Sequence, residues 1–285
     1  MLDLWYTENW TENTKFSIKV KKHLHSEMSK FQKIDFFESE EYGKFFTLDG
    51  LMMVTEKDEF IYHDMITHIA MATNPKIKKV LVIGAGDGGT VRELTRYKNI
   101  EKIDMVEIDE RVVRLSQQFL PITAEKLDDP RVTMYFEDGL KFVEGTKTGK
   151  YDLILVDSTD PISVGEGLFT TGFYNNCFRV LREEGILVNQ HESPYFENFS
   201  KEMQKAHKKI LNTFPIAKVY QFHQPTYPSG HWLFGFASKK FDPIKDHNSE
   251  EWEKLNIKTK YYNSELHRGC FALPNYVKEM LEIEK

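Results

Sequence analysis

The chain has 285 residues, 40% apolar and 29% charged, with a formal net charge of −6, enough for one large domain, or one large and one small, around a sizeable core. The mildly acidic balance argues against bulk nucleic-acid or anionic-membrane binding. Cys177 and Cys270, the two cysteines, lie far apart, which excludes a disulfide framework or zinc ribbon and points to a reducing compartment. The opening "MLDLWYTENWTENTK" is unlike a signal peptide, and runs such as "VLVIG" and "LILV" are too short to span a bilayer; a cytoplasmic protein is expected.

Residues 14 to about 61 read as β structure. "FSIKV" alternates apolar and polar, "KIDFFES" is short and aromatic, and "KFFTLDGLMMV" places Asp49-Gly50 between two apolar arms, a strong hairpin signal. The spacing changes near Tyr62: "YHDMITHIAMAT" predicts a helix that Asn74-Pro75 stops. Strands and helices then alternate. "KKVLVIG", "KIDMVEID", "VTMYFED" and "YDLILVD" are strands; "GGTVRELTRY", "RVVRLSQQFL" and "GLKFVEG" are the helices between them. "GFYNNCFRVLREEG" is predicted as a helix ending in Gly185, followed by the strand "ILVNQHES", the helix "KEMQKAHKKILNTF" and an antiparallel pair, "AKVYQFH" and "HWLFGFAS". No internal repeat or low-complexity stretch interrupts the series. The pattern predicts an α/β architecture: a small antiparallel β domain over residues 1–61, and a Rossmann-like, doubly wound sheet over 62–285 with its ligand at the carboxyl ends of the strands.

"VLVIGAGDGGTVREL" satisfies G-x-G-x-x-G with Gly84, Gly86 and Gly89, and Gly88 adds a fourth glycine to the loop. The motif follows a strand and opens a helix, the context in which such glycines bring backbone close to a ligand. Glu107 ends the second strand, where Rossmann-type sites carry the acid that binds ribose hydroxyls. Asp138-Gly139 ends the third strand and Asp157 the fourth. With Asp87, four acids are therefore expected along one edge of one sheet. Asp87 discriminates between nucleotides. It would repel a pyrophosphate in the glycine loop by on the order of a few kcal/mol at about 4 Å, and it suits a sulfonium nucleoside instead. That disfavours NAD and favours an S-adenosyl compound.

The stretches "DEFIYHDMITH", "VLVIGAGDGG", "VREL", "MVEID", "DDPRV", "DSTDP", "LFTTGFY", "PTYPSG" and "YYNSELHRGCFALP" resemble the spermidine synthase family of polyamine aminopropyltransferases, in order, from about Phe31 to the C-terminus. The resemblance implies transfer of an aminopropyl group from decarboxylated S-adenosylmethionine to putrescine, giving spermidine and 5′-methylthioadenosine. It implies a co-substrate rather than a cofactor, no metal, and a homodimer or homotetramer through the N-terminal sheet. By the same resemblance Gln32, Glu107, Asp138, Gly139 and Val164 contact the nucleoside, and Asp87 holds the amino group of the aminopropyl chain. Tyr62, His63, Asp157, Asp160 and Tyr227 line the diamine channel, with Asp157 as proton acceptor. Two positions depart from the family pattern: Ala85 replaces a glycine, and Val164 stands where a proline usually touches the thionucleoside.

Taken as plain structure, Asp160 could cap a turn before Pro161, and Tyr227 could pack a turn. An N-methyltransferase or a non-catalytic S-adenosyl-binding protein would use the same scaffold. Asp87 argues against the first and the pair Asp157 and Asp160 against the second. The acceptor amine is open among putrescine, cadaverine, agmatine and longer diamines.

Overall fold

The computed structural model describes residues 3–158 and 166–283. A hairpin opens the chain, β1 (Leu4–Thr11) with β2 (Thr14–Val20), and an antiparallel meander follows: β3 (Lys22–Met28), β4 (Lys33–Ser39), β5 (Gly43–Leu48) and β6 (Leu51–Thr55). Asp49 and Gly50 make the β5–β6 turn with left-handed backbone, at φ 50° and 82°, the geometry that a tight hairpin turn requires. The sequence reading missed β1. Its inward positions, Tyr6 and Glu8, alternate with exposed neighbours, and a charge at an inward position obscured the period.

Helix α1 (Glu59–Thr73) begins at Glu59 rather than at Tyr62, and is buried along nearly its whole length. The alternating part follows as β7 (Lys79–Gly84), α2 (Gly89–Thr95), β8 (Lys102–Val106), α3 (Glu110–Phe119), α4 (Pro121–Ala124), β9 (Val132–Tyr135), α5 (Gly139–Gly145), β10 (Tyr151–Asp157), α6 (Thr171–Val180), β11 (Leu181–Gln190), α7 (Glu197–Leu211), β12 (Ile216–His223) and β13 (His231–Ser238). Three short helices close the chain: α8 (Ser249–Lys254), α9 (Ser264–Gly269) and α10 (Asn275–Met280).

Seven strands form one sheet in the order β12-β13-β11-β10-β7-β8-β9. β7 pairs in parallel with both β8 and β10, and β13 runs antiparallel to β11 and β12. The continuous apolar runs of β7 and β10 are explained by their two covered faces. Val80, Val82, Leu153 and Leu155 enter the core beneath α1, while Leu81, Ile83, Ile154 and Val156 enter the core beneath α6. The chain leaves β7 toward β8 and β9, then returns to the opposite side of β7 as β10. That reversal is a topological switch point, where a crevice opens at the strand ends. The small sheet closes this crevice from above: Ile34, Phe36, Phe46, Leu48 and Val54 pack on Val112, Leu115 and Leu120 from α3 and its C-terminal end.

A further element differs from the reading of the sequence. The helix predicted to run to Gly185 ends at Val180, and "LREEG" belongs to β11. Leu181 is buried and pairs with Tyr151, after which the register shifts before Ile186 pairs with Leu153. The bulged Arg182 reaches Asp152 at 2.8 Å. Burial of Leu181 beside β10 outweighs the helix propensity of the polar residues after it.

Candidate active site

The glycine loop is shaped by close approach. At Gly84 the backbone is left-handed, φ 85°, and a Cβ there would stand 1.9 Å from the carbonyl oxygen of Asp157. The next amide, Ala85, donates to that same carbonyl at 2.8 Å. Ala85 itself sits at φ 62°, so the departure from glycine keeps a left-handed backbone at a cost of about 1–2 kcal/mol. The loop thus ties the ends of β7 and β10 together and sets Asp87 beside Asp157.

All four acids read at the strand ends, Asp87, Glu107, Asp138 and Asp157, line one cavity with Gly84, Gly86, Gly139, Gln32, Tyr62, His63 and Tyr227. Glu107 accepts the Asp109 amide at 2.9 Å. Burial, with the charges of Asp109 and Asp157 adding to it, pushes its carboxyl up to about 7. Asp138 caps α5 by accepting from the Leu140 amide at 2.8 Å, and Gly139 lies against Ile83, where a Cβ would meet the side chain at 2.7 Å. Gln32 reaches over from the small sheet and donates to Asp109 at 3.2 Å. These contacts build a wall of carboxylates and apolar side chains along one side of the cavity.

The other half of the cavity concentrates charge. Asp157 accepts from the Thr90 hydroxyl at 2.6 Å. Burial and the charge of Asp87 push its carboxyl up to about 6, against the opposing pull of His63, Thr90 and Tyr62. Tyr62 donates to Gln190 at 3.0 Å, and burial together with Asp157 keeps its hydroxyl protonated. Asp87 accepts from the Gly89 amide at 3.0 Å and faces His63 Nε2 at 3.3 Å. Burial would raise Asp87, yet His63 and the Gly89 amide hold it below the ordinary carboxylate range. Asp87 therefore has a protein cation as a partner, which the sequence reading left to the substrate. Tyr227 donates to the Met53 carbonyl at 2.6 Å and rests against Tyr62 and Trp232. Asp160 and Val164 lie outside the described residues.

Sequence reasoning did not single out Thr90, Gln190, Glu8 or Trp10. Gln190 ends β11 and was findable by the strand-end logic that found Asp157. Glu8 and Trp10 reach the cavity from β1, and Glu8 accepts the Met52 amide at 3.2 Å. Among the described residues, two clusters place three metal-type ligand atoms within 4.8 Å of one another: His63 with Asp87 and Asp157, and Asp64 with His68 and Glu93. In both, the imidazole is driven toward its cationic form by carboxylates that outweigh burial, His63 up to about 10.

With this geometry in place, the chain matches the spermine/spermidine synthase domain over residues 59–248 and the spermidine synthase tetramerisation domain over residues 4–56. The chain belongs to the spermine/spermidine synthase family. Like others of the family it is an enzyme of the aminopropyltransferase class. Among its relatives, the polyamine aminopropyltransferase of Alkaliphilus oremlandii is 71% identical over 284 residues, covering 100% of both chains. That of Clostridium perfringens is 68% identical over 281 residues, covering 99% of each. A solved spermidine synthase in complex with the transition-state analogue AdoDATO aligns with a TM-score of 0.96 at 41% identity, over 99% of this chain and 96% of that one. The Thermotoga maritima spermidine synthase aligns at 0.93 and 40% identity, over 99% and 95%. The match spans the N-terminal hairpin and meander as well as the seven-stranded sheet, so the synthase family accounts for the N-terminal part as well as for the Rossmann-like one.

Proposed function

We propose that the protein transfers the aminopropyl group of decarboxylated S-adenosylmethionine to putrescine, releasing spermidine and 5′-methylthioadenosine. The observation that carries this reading is Asp87. Its carboxylate accepts the Gly89 amide at the start of α2, the place where Rossmann-type loops seat a phosphate. With that place taken by an anion, the cradle favours a donor that carries positive charge and no phosphate. The AdoDATO complex of the related synthase supports the same class of ligand.

In this reading the amine nitrogen of putrescine attacks the carbon beside the sulfonium, the C–S bond breaks, and the electron pair returns to sulfur as a neutral thioether. The nitrogen loses one proton, and Asp157 accepts it. An alkylammonium has an ordinary pKa of about 10.4, so the transfer is uphill to an ordinary carboxylate. Raising Asp157 to about 6 narrows that gap, and desolvation plus the neighbouring sulfonium lower the amine from the other side. Tyr62, protonated and anchored on Gln190, orients the nitrogen. Positioning two substrates in one cavity supplies much of the acceleration. The sulfonium is the activated donor, so we assign neither a metal nor a cofactor to this site.

The N-terminal sheets, with Leu4 and Trp5 exposed on β1, fit a homodimer or homotetramer. No helix among the described residues is long and apolar enough to cross a membrane, and we place the enzyme in the cytoplasm. The deciding experiment incubates the protein with decarboxylated S-adenosylmethionine and a panel of putrescine, cadaverine, agmatine and spermidine, read by mass spectrometry. Spermidine as the main product supports the reading. Methyl transfer from S-adenosylmethionine, with no aminopropyl product, would replace it.

A further inference from the structure

A buried chain of charges runs from α2 through α1 to the cavity, and the reaction as described uses only its last member. Arg92 donates to both carboxylate oxygens of Glu59, at 3.0 and 2.8 Å. Glu59 lies one helical turn before His63 on α1 and meets its Nδ1 at 2.6 Å. The other ring nitrogen, Nε2, faces Asp87 at 3.3 Å. His63 and Glu59 are almost wholly buried, and a Cβ on Gly89 would stand 2.1 Å from the His63 ring, so the imidazole has no room to turn. With a carboxylate at each nitrogen the ring serves as a double donor.

We propose that Glu59 is a positioning residue, acting through His63 to hold Asp87 ionised and oriented toward the ammonium of the aminopropyl chain. The proposal rests on the aminopropyl-transfer reading of the site. Its physical basis is the crowding of Asp87 and Asp157. Their oxygens and a ring nitrogen of His63 fall within 4.8 Å of one another. Two such carboxylates alone would share a proton, and the shared proton would cancel the charge that recognises an ammonium. A fixed imidazolium removes that conflict, and Glu59 fixes it. The groups facing His63 are Glu59 and Tyr62 from α1, Asp87 from the glycine loop, Arg92 from α2 by way of Glu59, and Asp157 from β10. Around His63 three carboxylates, Glu59, Asp87 and Asp157, meet two cations, His63 and Arg92, so the cluster is poised to attract one more. His63 thereby acts on the amine end of the donor through Asp87 rather than as a neutral wall of the diamine channel.

The test compares two ligands on the full-length enzyme by calorimetry. Decarboxylated S-adenosylmethionine carries the aminopropyl ammonium; 5′-methylthioadenosine does not. In Glu59→Gln, affinity for the first falls on the order of ten-fold or more, and for the second by less than about two-fold. Nitrogen NMR of the His63 ring, without ligand, finds both nitrogens protonated at pH 8 in the wild type and a lower titration midpoint in Glu59→Gln. Should that variant fold poorly, His63→Gln keeps a neutral bridge and gives the same selective loss. Equal losses for both ligands, unchanged affinity for both, or a neutral His63 at pH 8 in the wild type overturn the proposal. A wild type without aminopropyl transfer overturns the functional reading itself, whereas an active transferase with an unselective Glu59→Gln overturns only the positioning role.

Discussion

Asp157 carries the sharpest demand on a single residue. In the proposed reaction it must be ionised to accept a proton, and it sits where burial and Asp87 raise it to about 6. Activity therefore falls as the pH drops through about 6 and holds above it until other groups titrate. Asp157→Asn keeps the Thr90 hydrogen bond as an acceptor but cannot take a proton, and kcat should fall by at least about 100-fold with a smaller change in KM for the nucleoside. Steady-state kinetics across pH 7–9 check this; near-normal turnover in that range would sink the proton-acceptor role. The sequence made Asp157, Glu107 and Asp138 legible because each ends an apolar strand, and strand ends of a parallel sheet converge. It could not reveal Thr90 against Asp157 or His63 against Asp87. Those contacts depend on how α1 and α2 cross above the glycine loop, which no local pattern encodes.

Among the elements, α1 does the most varied work. One side presents Tyr62 and His63 to the cavity, and the other anchors the C-terminal region. Asp64 uses one oxygen to accept three consecutive backbone amides, Lys260, Tyr261 and Tyr262, at 3.1, 2.8 and 3.2 Å. Its other oxygen faces His68 at 3.5 Å, and His68 in turn reaches Glu93 at 3.1 Å and the Tyr97 hydroxyl at 2.7 Å. Removing the carboxylate leaves three backbone donors without their acceptor, the Tyr262 amide buried among them, and takes from His68 one of its two carboxylate partners. Asp64→Ala should cost about 1–3 kcal/mol of stability, measured by urea unfolding, and should release amide-exchange protection at residues 260–262 before the rest of the sheet. A cost below about 1 kcal/mol, or unchanged protection there, would show that the clasp is dispensable. The helix itself was legible from its spacing, but this second role was not: the partners lie nearly 200 residues away, in a stretch with no periodic pattern of its own. The same limit explains "LREEG", where helix-forming residues yield to the burial of Leu181 beside Tyr151.

At the scale of the whole molecule, the two-part architecture followed from a change of period, from alternation before Tyr62 to strand–helix repeats after it. The closing of the crevice by the small sheet, through Gln32, Glu8 and the Met53 carbonyl, needed three dimensions. The crevice as a whole stores unfavourable charge, and this sets how stability depends on pH. Three of its groups have raised values in the folded chain: Asp157 from 3.8 to about 6, Glu107 from 4.5 to about 7, and His63 from 6.5 to about 10. For each, the folded chain holds a proton that the unfolded chain has released, between roughly pH 4 and pH 10. The crevice's contribution to stability must then fall as pH rises through that window, first by way of the two carboxyls and then by way of His63. Glu59, Asp87 and Glu93 are lowered instead, so their contribution is lost only as pH falls below the ordinary carboxylate range. Outside the crevice, His191, His207, His231, His247 and His267 are lowered by burial and add stability as pH rises toward 6.5. The loss through His63 therefore shows above that value, and the melting temperature of the ligand-free protein should decline from about pH 7 to pH 9.5. A cationic ligand that pairs with the ionised carboxylates offsets this, so decarboxylated S-adenosylmethionine should raise the melting temperature more at pH 8.5 than at pH 5.5. Calorimetric scans at fixed ligand concentration across that range decide it. A ligand-free melting temperature that stays level or climbs from pH 7 to pH 9.5 would mean that His63 does not hold its proton in the empty crevice.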